Sequence, residues 1–405
     1  MREALQSMPC VPVRLAPTPA NPFAEPDASL PGGAAGFATF YAYLAQADPE
    51  HGDLEYVEHY LGTATEALVE HPMAIHLHGG FTGIAWAHCH LARCVDAVDF
   101  VDVDELASID QAVLSVLSAP RWVGDYDVVG GIVGLGVYGL ERGDAIGRSI
   151  VAEVVRHLAT TATVDQHGAR WITPAENLPP WQREYAPEGY VNLGLAHGVP
   201  GVIALLARAI TDDIAVERAR PLLDDAVRWL LAQRGEDRGT SVFPTWVVPG
   251  EGRPLRPRTA WCYGDAGVAI ALAGAAAATA DPRWRAAAME LTDAMIERAP
   301  TACRIYDASL CHGAVGMAHV LARLSRALGE PRYAEAARYW YGEVLDAHQP
   351  DRPRGGFPFA TFDAQGERAW RDDPGLLTGA AGVGLGLLAA VSDHAPAWDR
   401  CLLMS

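Results

Sequence analysis

The chain has 405 residues, half of them hydrophobic, and a formal net charge of −19 at pH 7. This length and composition predict a globular protein with a sizeable buried core. The negative charge argues against binding to nucleic acid or an anionic membrane surface by long-range attraction. Every cationic side chain is arginine, since lysine does not occur, and the sequence is rich in Ala, Gly and Pro. This composition is typical of a high-GC bacterium.

The N-terminal residues 1–25 are predicted to be a proline-rich extension, followed by one domain that spans residues 26–405. The extension lacks the continuous apolar core of a secretory signal, and the chain has no apolar run of about 18 residues or more. We therefore expect a cytoplasmic protein without an integral membrane segment. The seven cysteines are odd in number and scattered, so we expect free thiols or metal ligands and no disulfide framework.

A Gly-x-x-Gly motif followed by an apolar, helix-like run recurs along the chain. The first aligned glycines are Gly33, Gly80, Gly131, Gly198, Gly264, Gly313 and Gly379. Successive glycines are 47 to 67 residues apart, which is long enough for two helices and their connections. Amphipathic segments such as 221–234 and 284–299 lie between the motifs and are typical of a second, outer helix. The repeating unit is therefore predicted to be a helical hairpin.

The helix after each motif is apolar nearly all round and rich in Ala and Gly, which favours an inner position close to its neighbours. An open stack of repeats needs polar caps at both ends, whereas the first and last repeats here are as apolar as the middle ones. We therefore predict an all-α fold: an α/α toroid, or double-layered helical barrel, of seven helical-hairpin repeats. The seven Gly-x-x-Gly turns should then converge at one mouth.

Two further segments attract attention. The stretch 88–94 contains His88, Cys89, His90 and Cys94, but these residues lie in a predicted inner helix and cannot all share one face. We expect no metal site there. Residues 241–250 are predicted to form a short β-hairpin.

The two positions before the aligned glycine carry reactive side chains in units four, five and six. They are Ala196-His197, Cys262-Tyr263 and Cys311-His312. Cys262 and Cys311 are equivalent by repeat, so neighbouring inner helices would hold both thiols at one mouth. Two sulfurs and an imidazole suit zinc, whose catalytic sites use three protein ligands and keep one position open. Each residue alone fits a buried core position better, but three at matched positions favour a metal.

Four stretches together resemble the motif set of the lanthionine synthetase C-like family, the lanthipeptide cyclases. They are YDVVGGIVG (126–134), LAHGVPG (195–201), RTAWCYGDAG (258–267) and LCHGAVG (310–316). The repeats cover about residues 30–390. The resemblance implies an α-toroid enzyme that adds peptide cysteine thiols to dehydroalanine or dehydrobutyrine. The products are lanthionine or methyllanthionine rings in a dehydrated precursor peptide, which consists of a leader and a core.

The resemblance places zinc on Cys262, Cys311 and His312, with no departure from the family's pattern. A free thiol has a pKa of about 8.5, and zinc coordination makes it a thiolate nucleophile at neutral pH. Addition to the dehydro residue creates an enolate that must be protonated at its α-carbon. The family's positions carry over to His197 as the acid, or acid and base, for this step.

The same resemblance assigns supporting roles to Asp127, Arg258 and Tyr263, with Trp261 beside them. Arg258 or a backbone donor is expected to stabilise the enolate charge. Asp127 is expected to orient His197 or hold it protonated, and Tyr263 to hydrogen-bond to the substrate or the metal-bound group. Structural alternatives stay open: a helix cap for Asp127, a packed aromatic for Tyr263 and an ion-pair partner for Arg258.

Residues 165–190 are too rich in proline and turn residues to be helical throughout. We expect them to form part of a peptide-binding surface near the mouth. The sequence contains no candidate dehydratase or kinase region, so a separate dehydratase and an exporter are expected partners.

Other functions fit parts of the same sequence pattern. Zinc-dependent addition of a small thiol such as glutathione would use the same site. A non-catalytic scaffold that binds the precursor peptide in a synthetase complex is disfavoured, because a scaffold needs no open zinc position. A toroidal glycoside hydrolase is disfavoured because Asp125 and Asp127, two residues apart in one turn, do not flank a scissile bond. A terpene cyclase is disfavoured because the sequence has no Asp-Asp-x-x-Asp run.

Overall fold

The computed structural model describes residues 27–50, 54–95, 98, 103–235, 239–248, 258–362 and 367–405. Within these ranges the chain forms fourteen α-helices and three two-stranded β-sheets. No helix in the described ranges is both long and apolar enough to cross a membrane. The predicted extension, residues 1–25, lies outside the described residues.

The inner layer consists of helices that begin directly after an aligned glycine. In the described part of the chain these are α1 (Ala34–Ala47), α3 (Phe81–Cys94), α5 (Ile132–Arg142), α8 (Val199–Thr211), α10 (Asp265–Thr279), α12 (Ala314–Leu328) and α14 (Ala380–Val391). Each inner helix packs against the next one along the chain, and α14 packs against α1. The inner layer is therefore a closed ring, which confirms the predicted toroid.

The outer layer consists of amphipathic helices, each packed on the inner helix that precedes it. They are α2 (Leu54–Glu70), α4 (Ala107–Leu117), α6 (Ala145–Thr161), α9 (Val216–Ala232), α11 (Pro282–Glu297) and α13 (Pro331–Asp346). In the seventh unit, α14 is followed by a 3-10 helix, Ala397–Leu402, that contacts α3 and α5. This segment packs on inner helices, so among the described residues the seventh unit has no outer α-helix to complete the predicted hairpin.

Small residues allow the inner helices to pack at short distances. A Cβ atom added at Gly386 of α14 would lie 2.3 Å from a methyl group of Val315 in α12. One added at Gly136 of α5 would lie 2.7 Å from Leu205 in α8. Both distances are too short for carbon atoms, so these neighbouring helices approach as closely as they do because a side chain is missing.

The Gly-x-x-Gly turns hydrogen-bond to one another around the mouth. The backbone N–H of Cys311 donates to the carbonyl of Leu377 (2.8 Å), and that of Leu377 donates to Pro31 (3.0 Å). On the opposite side, the N–H of His78 donates to the carbonyl of Val129 (3.1 Å). The turns therefore converge at one end of the ring, as closure requires.

Short strands lie outside the helical layers: β1 (Thr163–Asp165), β2 (Gly168–Arg170), β3 (Val191–Asn192), β4 (Trp246–Val247), β5 (Phe359–Phe362) and β6 (Arg368–Arg371). They pair antiparallel as β1 with β2, β3 with β4 and β5 with β6.

The hairpin predicted within 241–250 is wrong for the part that the structure describes, residues 241–248. Its strand β4 pairs with β3, far away in sequence. The Trp246 ring stacks on Tyr190 with centroids 5.0 Å apart, which ties β4 to the distant segment.

The segment 165–190 is not helical throughout, as predicted. It contains the β1–β2 turn, a 3-10 helix at Ala175–Asn177 and the short helix α7 (Pro180–Tyr185).

Candidate functional site

Each turn at the mouth is built on the residue six positions before the aligned glycine. In five turns that residue is an Asp or Asn: Asp27, Asp125, Asn192, Asp307 and Asp373. In four of them its side chain accepts the backbone N–H two residues further on. Such Asx turns fix the loop locally, so the residues before the glycine occupy equivalent places at the mouth. Sequence reasoning missed this recurring Asp or Asn, although its fixed distance of six residues from the aligned glycine is visible in the sequence.

The turn of the fifth repeat, which precedes Gly264, departs from this pattern. Arg258 occupies the position of the Asp or Asn, and the aligned Gly264 has φ +94°. A side chain at that φ would be strained, so this turn depends on glycine. The other aligned glycines have extended φ values, from −105° at Gly313 to −150° at Gly80. The exceptional turn is the one that carries Cys262 and Tyr263.

The structure brings Cys262, Cys311 and His312 together, as predicted. One donor atom from each lies within 4.8 Å of the others. Ligands of a tetrahedral zinc with bond lengths of 2.0–2.3 Å lie roughly 3.5–4 Å apart, so small side-chain movements would suffice to hold the ion. The two thiols are free and only partly buried. The donor set and its spacing therefore fit zinc.

Asp307 supports the imidazole of this cluster. Its Oδ2 lies 3.6 Å from Nε2 of His312. Asp307 is itself held by the N–H and hydroxyl of Ser309 (2.9 and 2.6 Å) and by the N–H of Ala360 in β5 (2.9 Å). A fixed carboxylate beside a ligating histidine is a common way to orient the ring. Sequence reasoning missed Asp307, which the Asx period would have identified.

The electrostatics of the cluster favour a thiolate. A hydrogen bond from Cys311 lowers the pKa of Cys262 well below its ordinary value against the effect of burial, with help from His312 and the charge of Arg258. The same hydrogen bond and burial raise the pKa of Cys311. Arg258 has a buried Nη1 with no hydrogen-bond partner among the described residues. A donor of this kind suits an anionic group at the mouth.

His197 and Asp127 form a second functional group at the mouth. Nδ1 of His197 lies 2.6 Å from Oδ2 of Asp127, whose Oδ1 accepts the N–H of Gly130 at 2.8 Å. Asp127 therefore both caps its turn and orients the histidine. Burial alone would lower the pKa of His197, but the hydrogen bond and charge of Asp127 outweigh it and raise the pKa. The His197 side chain is 39% exposed, and no described residue bonds to its Nε2.

Tyr263 packs between the histidine and the strand β3. Its ring stacks on His197 with centroids 6.0 Å apart, and its hydroxyl accepts a hydrogen bond from Asn192 (3.2 Å). Burial raises the pKa of Tyr263, so the hydroxyl stays protonated. A Cβ at Gly194 would lie 2.3 Å from the carbonyl oxygen of Cys262. Asn192 and Gly194 are thus further site residues that sequence reasoning missed.

The segment 165–190 reaches the mouth. The amide of Asn177 donates to Asp125 at 2.7 Å, two residues before Asp127. Helix α7 presents Trp181 with 58% of its surface exposed, next to Trp246 (ring centroids 6.2 Å apart). An exposed indole therefore stands on the segment predicted to bind peptide.

A second group of potential ligands, the far cluster, lies at the other end of the inner helices. One donor atom each from His90, Cys94 and Glu141 also falls within 4.8 Å of the others. His90 and Cys94 share one face of α3, one turn apart, whereas His88 and Cys89 point elsewhere. Nη1 of Arg400 occupies this group, 3.2 Å from Sγ of Cys94 and 3.4 Å from Oε1 of Glu141. The protein's own cation therefore lies between the Cys94 thiol and the Glu141 carboxylate.

The sequence matches the family described as lanthionine synthetase C-like protein over residues 25–403. The chain belongs to the lanthionine synthetase C-like family. A solved structure described as nisin cyclase matches with a TM-score of 0.76 and 19% identity, over 94% of this chain and 93% of that chain. This likeness confirms the helical toroid.

A structure described as D-mannose isomerase matches with a TM-score of 0.42 and 12% identity, over 68% of this chain and 77% of that chain. Comparison with curated proteins finds no match. Membership of the lanthionine synthetase C-like family therefore rests on the family match.

Proposed function

We propose that this protein is a zinc-dependent lanthipeptide cyclase. It would add peptide cysteine thiols to dehydroalanine or dehydrobutyrine and so form lanthionine or methyllanthionine rings in a dehydrated precursor peptide. The observation that carries the proposal is the cluster of Cys262, Cys311 and His312 beside the His197–Asp127 pair at one mouth. Family membership and the likeness to the nisin cyclase structure support it.

Cys262, Cys311 and His312 would hold the zinc ion. When bound, zinc supplies a thiolate nucleophile at neutral pH, because a coordinated thiol loses its proton. Asp307 would keep the His312 ring in place. The backbone hydrogen bond from the N–H of Cys311 to the carbonyl of Leu377 links the loop that carries Cys311 and His312 to the neighbouring turn. The protein part of this centre is thus held before any metal or substrate arrives.

His197 would move the proton. Asp127 accepts Nδ1–H, so Nε2 is the nitrogen that faces the open mouth. In the reaction the sulfur forms a bond to the β-carbon, the carbon–carbon π bond breaks, and its electron pair passes into the enolate. Nε2–H of His197 then delivers a proton to the α-carbon. The proton given up by the substrate thiol replaces it on His197, so no proton is gained or lost overall. The raised pKa of His197 favours the protonated ring that this step needs.

Arg258 and Tyr263 would complete the site. Nη1 of Arg258, which has no hydrogen-bond partner among the described residues, is a donor for the developing enolate oxygen. The protonated hydroxyl of Tyr263 is held by Asn192, and its ring lies on His197. We assign Tyr263 to orienting His197 and contacting the peptide, and Arg258 to stabilising charge.

The peptide substrate would lie over the mouth and the segment 165–190. The exposed Trp181 there offers an apolar contact for a core peptide, and Asn177 links the segment to the turn of Asp127. We place the enzyme in the cytoplasm as a single domain of residues 26–405. It would act after a separate dehydratase and before an exporter.

The decisive experiment combines metal analysis with a cyclisation assay. Purified protein is expected to contain about one zinc per chain, and a dehydrated model peptide with one cysteine should lose its free thiol without a change in mass. Transfer of glutathione in place of ring formation would instead support the small-thiol reaction. A folded protein that neither contains nor takes up zinc would contradict the proposal and favour a peptide-binding scaffold.

A further inference from the structure

The C-terminal segment Ala397–Ser405, the tail, crosses the interior of the ring. Its 3-10 helix contacts α3 and α5, and its side chains bond to α12 on the other side. Trp398, Asp399, Cys401 and Leu402 are buried to at least 99%. A buried segment in the centre of a toroid must satisfy its backbone polar groups there.

Asp399 is the first anchor of the tail. Arg323 of α12 contacts both of its carboxylate oxygens, with Nε 2.5 Å and Nη2 2.8 Å away. His319 donates to Oδ2 at 2.7 Å, and the hydroxyl of Ser405 donates to Oδ1 at 2.6 Å. Burial alone would raise the pKa of Asp399, but His319 and Arg323 hold the pKa at about 2. The carboxylate is therefore charged and fully paired.

The next three residues bind other units of the ring. Arg400 contacts Cys94 and Glu141 of the far cluster. The carbonyl of Cys401 accepts Nε2–H of His78, in the turn before α3. The carbonyl of Leu402 accepts Nε1–H of Trp261 at 2.9 Å, in the turn before α10. Four consecutive tail residues thus connect the inner helices to the mouth.

Trp261 is the residue next to the candidate zinc ligand Cys262. Its side chain is 1% exposed, so its indole N–H has no access to water as a substitute partner. On the other side of the loop, a Cβ atom added at Gly267 would lie only 2.2 Å from the carbonyl oxygen of Trp261. The hydrogen bond to Leu402 therefore fixes one side of the loop that presents Cys262, while Gly267 limits the other.

We propose that the tail is a positioning element for the metal centre, acting through the hydrogen bond between Leu402 and Trp261. The inference rests on the proposed zinc site but adds a part of the chain remote from it in sequence. Without this bond the Cys262 loop has more conformations, and part of the binding energy of the metal is used to order it. The tail residues touch neither metal nor substrate.

The test compares two tryptophan-to-phenylalanine variants, Trp261→Phe and Trp171→Phe. Trp171 is also buried, and its Nε1–H donates to the carbonyl of Leu158 at 3.0 Å. Each variant therefore loses one indole bond to a backbone carbonyl, but only Trp261 is next to a ligand. Zinc affinity is measured by competition with a chromophoric chelator, without peptide.

Trp261→Phe is expected to weaken zinc binding on the order of 10-fold, the size seen when supporting partners of metal ligands are removed. Trp171→Phe should bind zinc as the wild type does, with a similar fall in melting temperature. Wild-type affinity in Trp261→Phe, or an equal loss in both variants, would overturn the proposal. Should Trp261→Phe not fold, Arg323→Gln loosens the tail from α12 and should also weaken zinc binding.

A second measurement separates this proposal from the proposed function. Metal-stripped proteins are treated with iodoacetamide, and alkylation of Cys262 is followed by mass spectrometry. A faster reaction in Trp261→Phe than in Trp171→Phe would show that the loop has been released. Equal alkylation rates in the two variants would contradict the proposal that the tail positions the Cys262 loop. A wild type without zinc affinity would end the cyclase proposal, while these rates would still decide whether the tail positions the loop.

Discussion

The two ends of the inner helices each carry three potential metal ligands, but they are built differently. At the mouth, Cys262, Cys311 and His312 stand on turns, with His312 supported by Asp307. At the far end, His90 and Cys94 stand on one helix with Glu141 opposite. In both groups the donor atoms lie within 4.8 Å of one another, so this proximity alone does not make a metal site.

The two groups differ in the hydrogen bonds and ionic contacts that their potential ligands already make. In the far cluster, His90 bonds to Glu141 (3.0 Å) and to the hydroxyl of Tyr43 (2.9 Å), and Arg400 contacts both Glu141 and Cys94. Burial raises the pKa of Cys94 to about 11, which disfavours the thiolate that a metal needs. At the mouth the pKa of Cys262 is lowered instead. A closed polar network stabilises the fold, whereas an open one can take a ligand.

The largest expected effect is on metal content. Cys311→Ala should reduce zinc from about one per chain to a small fraction and abolish cyclisation, because two remaining ligands hold zinc weakly. Cys94→Ala should leave the zinc content unchanged. Elemental analysis of both purified variants makes the comparison. Loss of zinc from Cys94→Ala would place the metal at the far end and reverse the assignment.

His197→Gln is expected to lower kcat by about 10²–10⁴-fold, the usual contribution of a general acid. Its zinc content should stay that of the wild type, since His197 is outside the ligand set. His90→Gln, the matched change at the far end, should reduce the melting temperature with little effect on kcat. The loss of thiol from a dehydrated peptide, followed over time, gives both rates. A fully active His197→Gln would show that another group delivers the proton.

Asp127→Asn and Glu141→Gln test by pH one histidine–carboxylate pair at each end of the inner helices. The charge of Asp127 raises the pKa of His197, so activity that needs the protonated ring is lost as pH rises through that pKa. Asp127→Asn removes this charge and should lower the pKa of His197. The alkaline limb of the kcat/KM profile should therefore move to lower pH. Glu141→Gln should leave the limb in place. An unchanged limb in Asp127→Asn would remove His197 from the role of acid.

Arg400→Met would open the far cluster. Without the guanidinium of Arg400, Sγ of Cys94 and Oε1 of Glu141 lose the cation that contacts both atoms, and we expect a second, weaker equivalent of zinc in a titration monitored by calorimetry. The wild type should bind one equivalent only. A single equivalent in the variant would mean that the bonds of His90 to Tyr43 and Glu141 are enough to close the cluster.

The smallest effect is expected from Trp181→Ala. Removing an exposed aromatic contact should raise KM for the peptide by about 10-fold or less without changing kcat, since such contacts contribute roughly 1 kcal/mol. Tyr339→Ala on the outer helix α13 is the control, because Tyr339 is similarly exposed, at 46% against 58%. Equal KM values in both variants would separate the 165–190 segment from peptide binding.

The sequence alone determined the repeat, the closure of the ring and the set of residues at the mouth. The Gly-x-x-Gly period marks every inner helix start, and the apolar terminal repeats predict the contact between α14 and α1. Cys262 and Cys311 could be paired because equivalent repeat positions must meet at one mouth. These features are local or periodic, so a single sequence displays them.

Only the tertiary structure decided which side chains complete the site. Asn192 reaches Tyr263, Asp307 reaches His312, and the carbonyl of Leu402 reaches Trp261 across 141 residues of chain. It also decided that Arg400 fills the far cluster. Such contacts follow from how a closed ring of helices brings distant segments together, and no period in the sequence records the path of a tail through the centre of that ring.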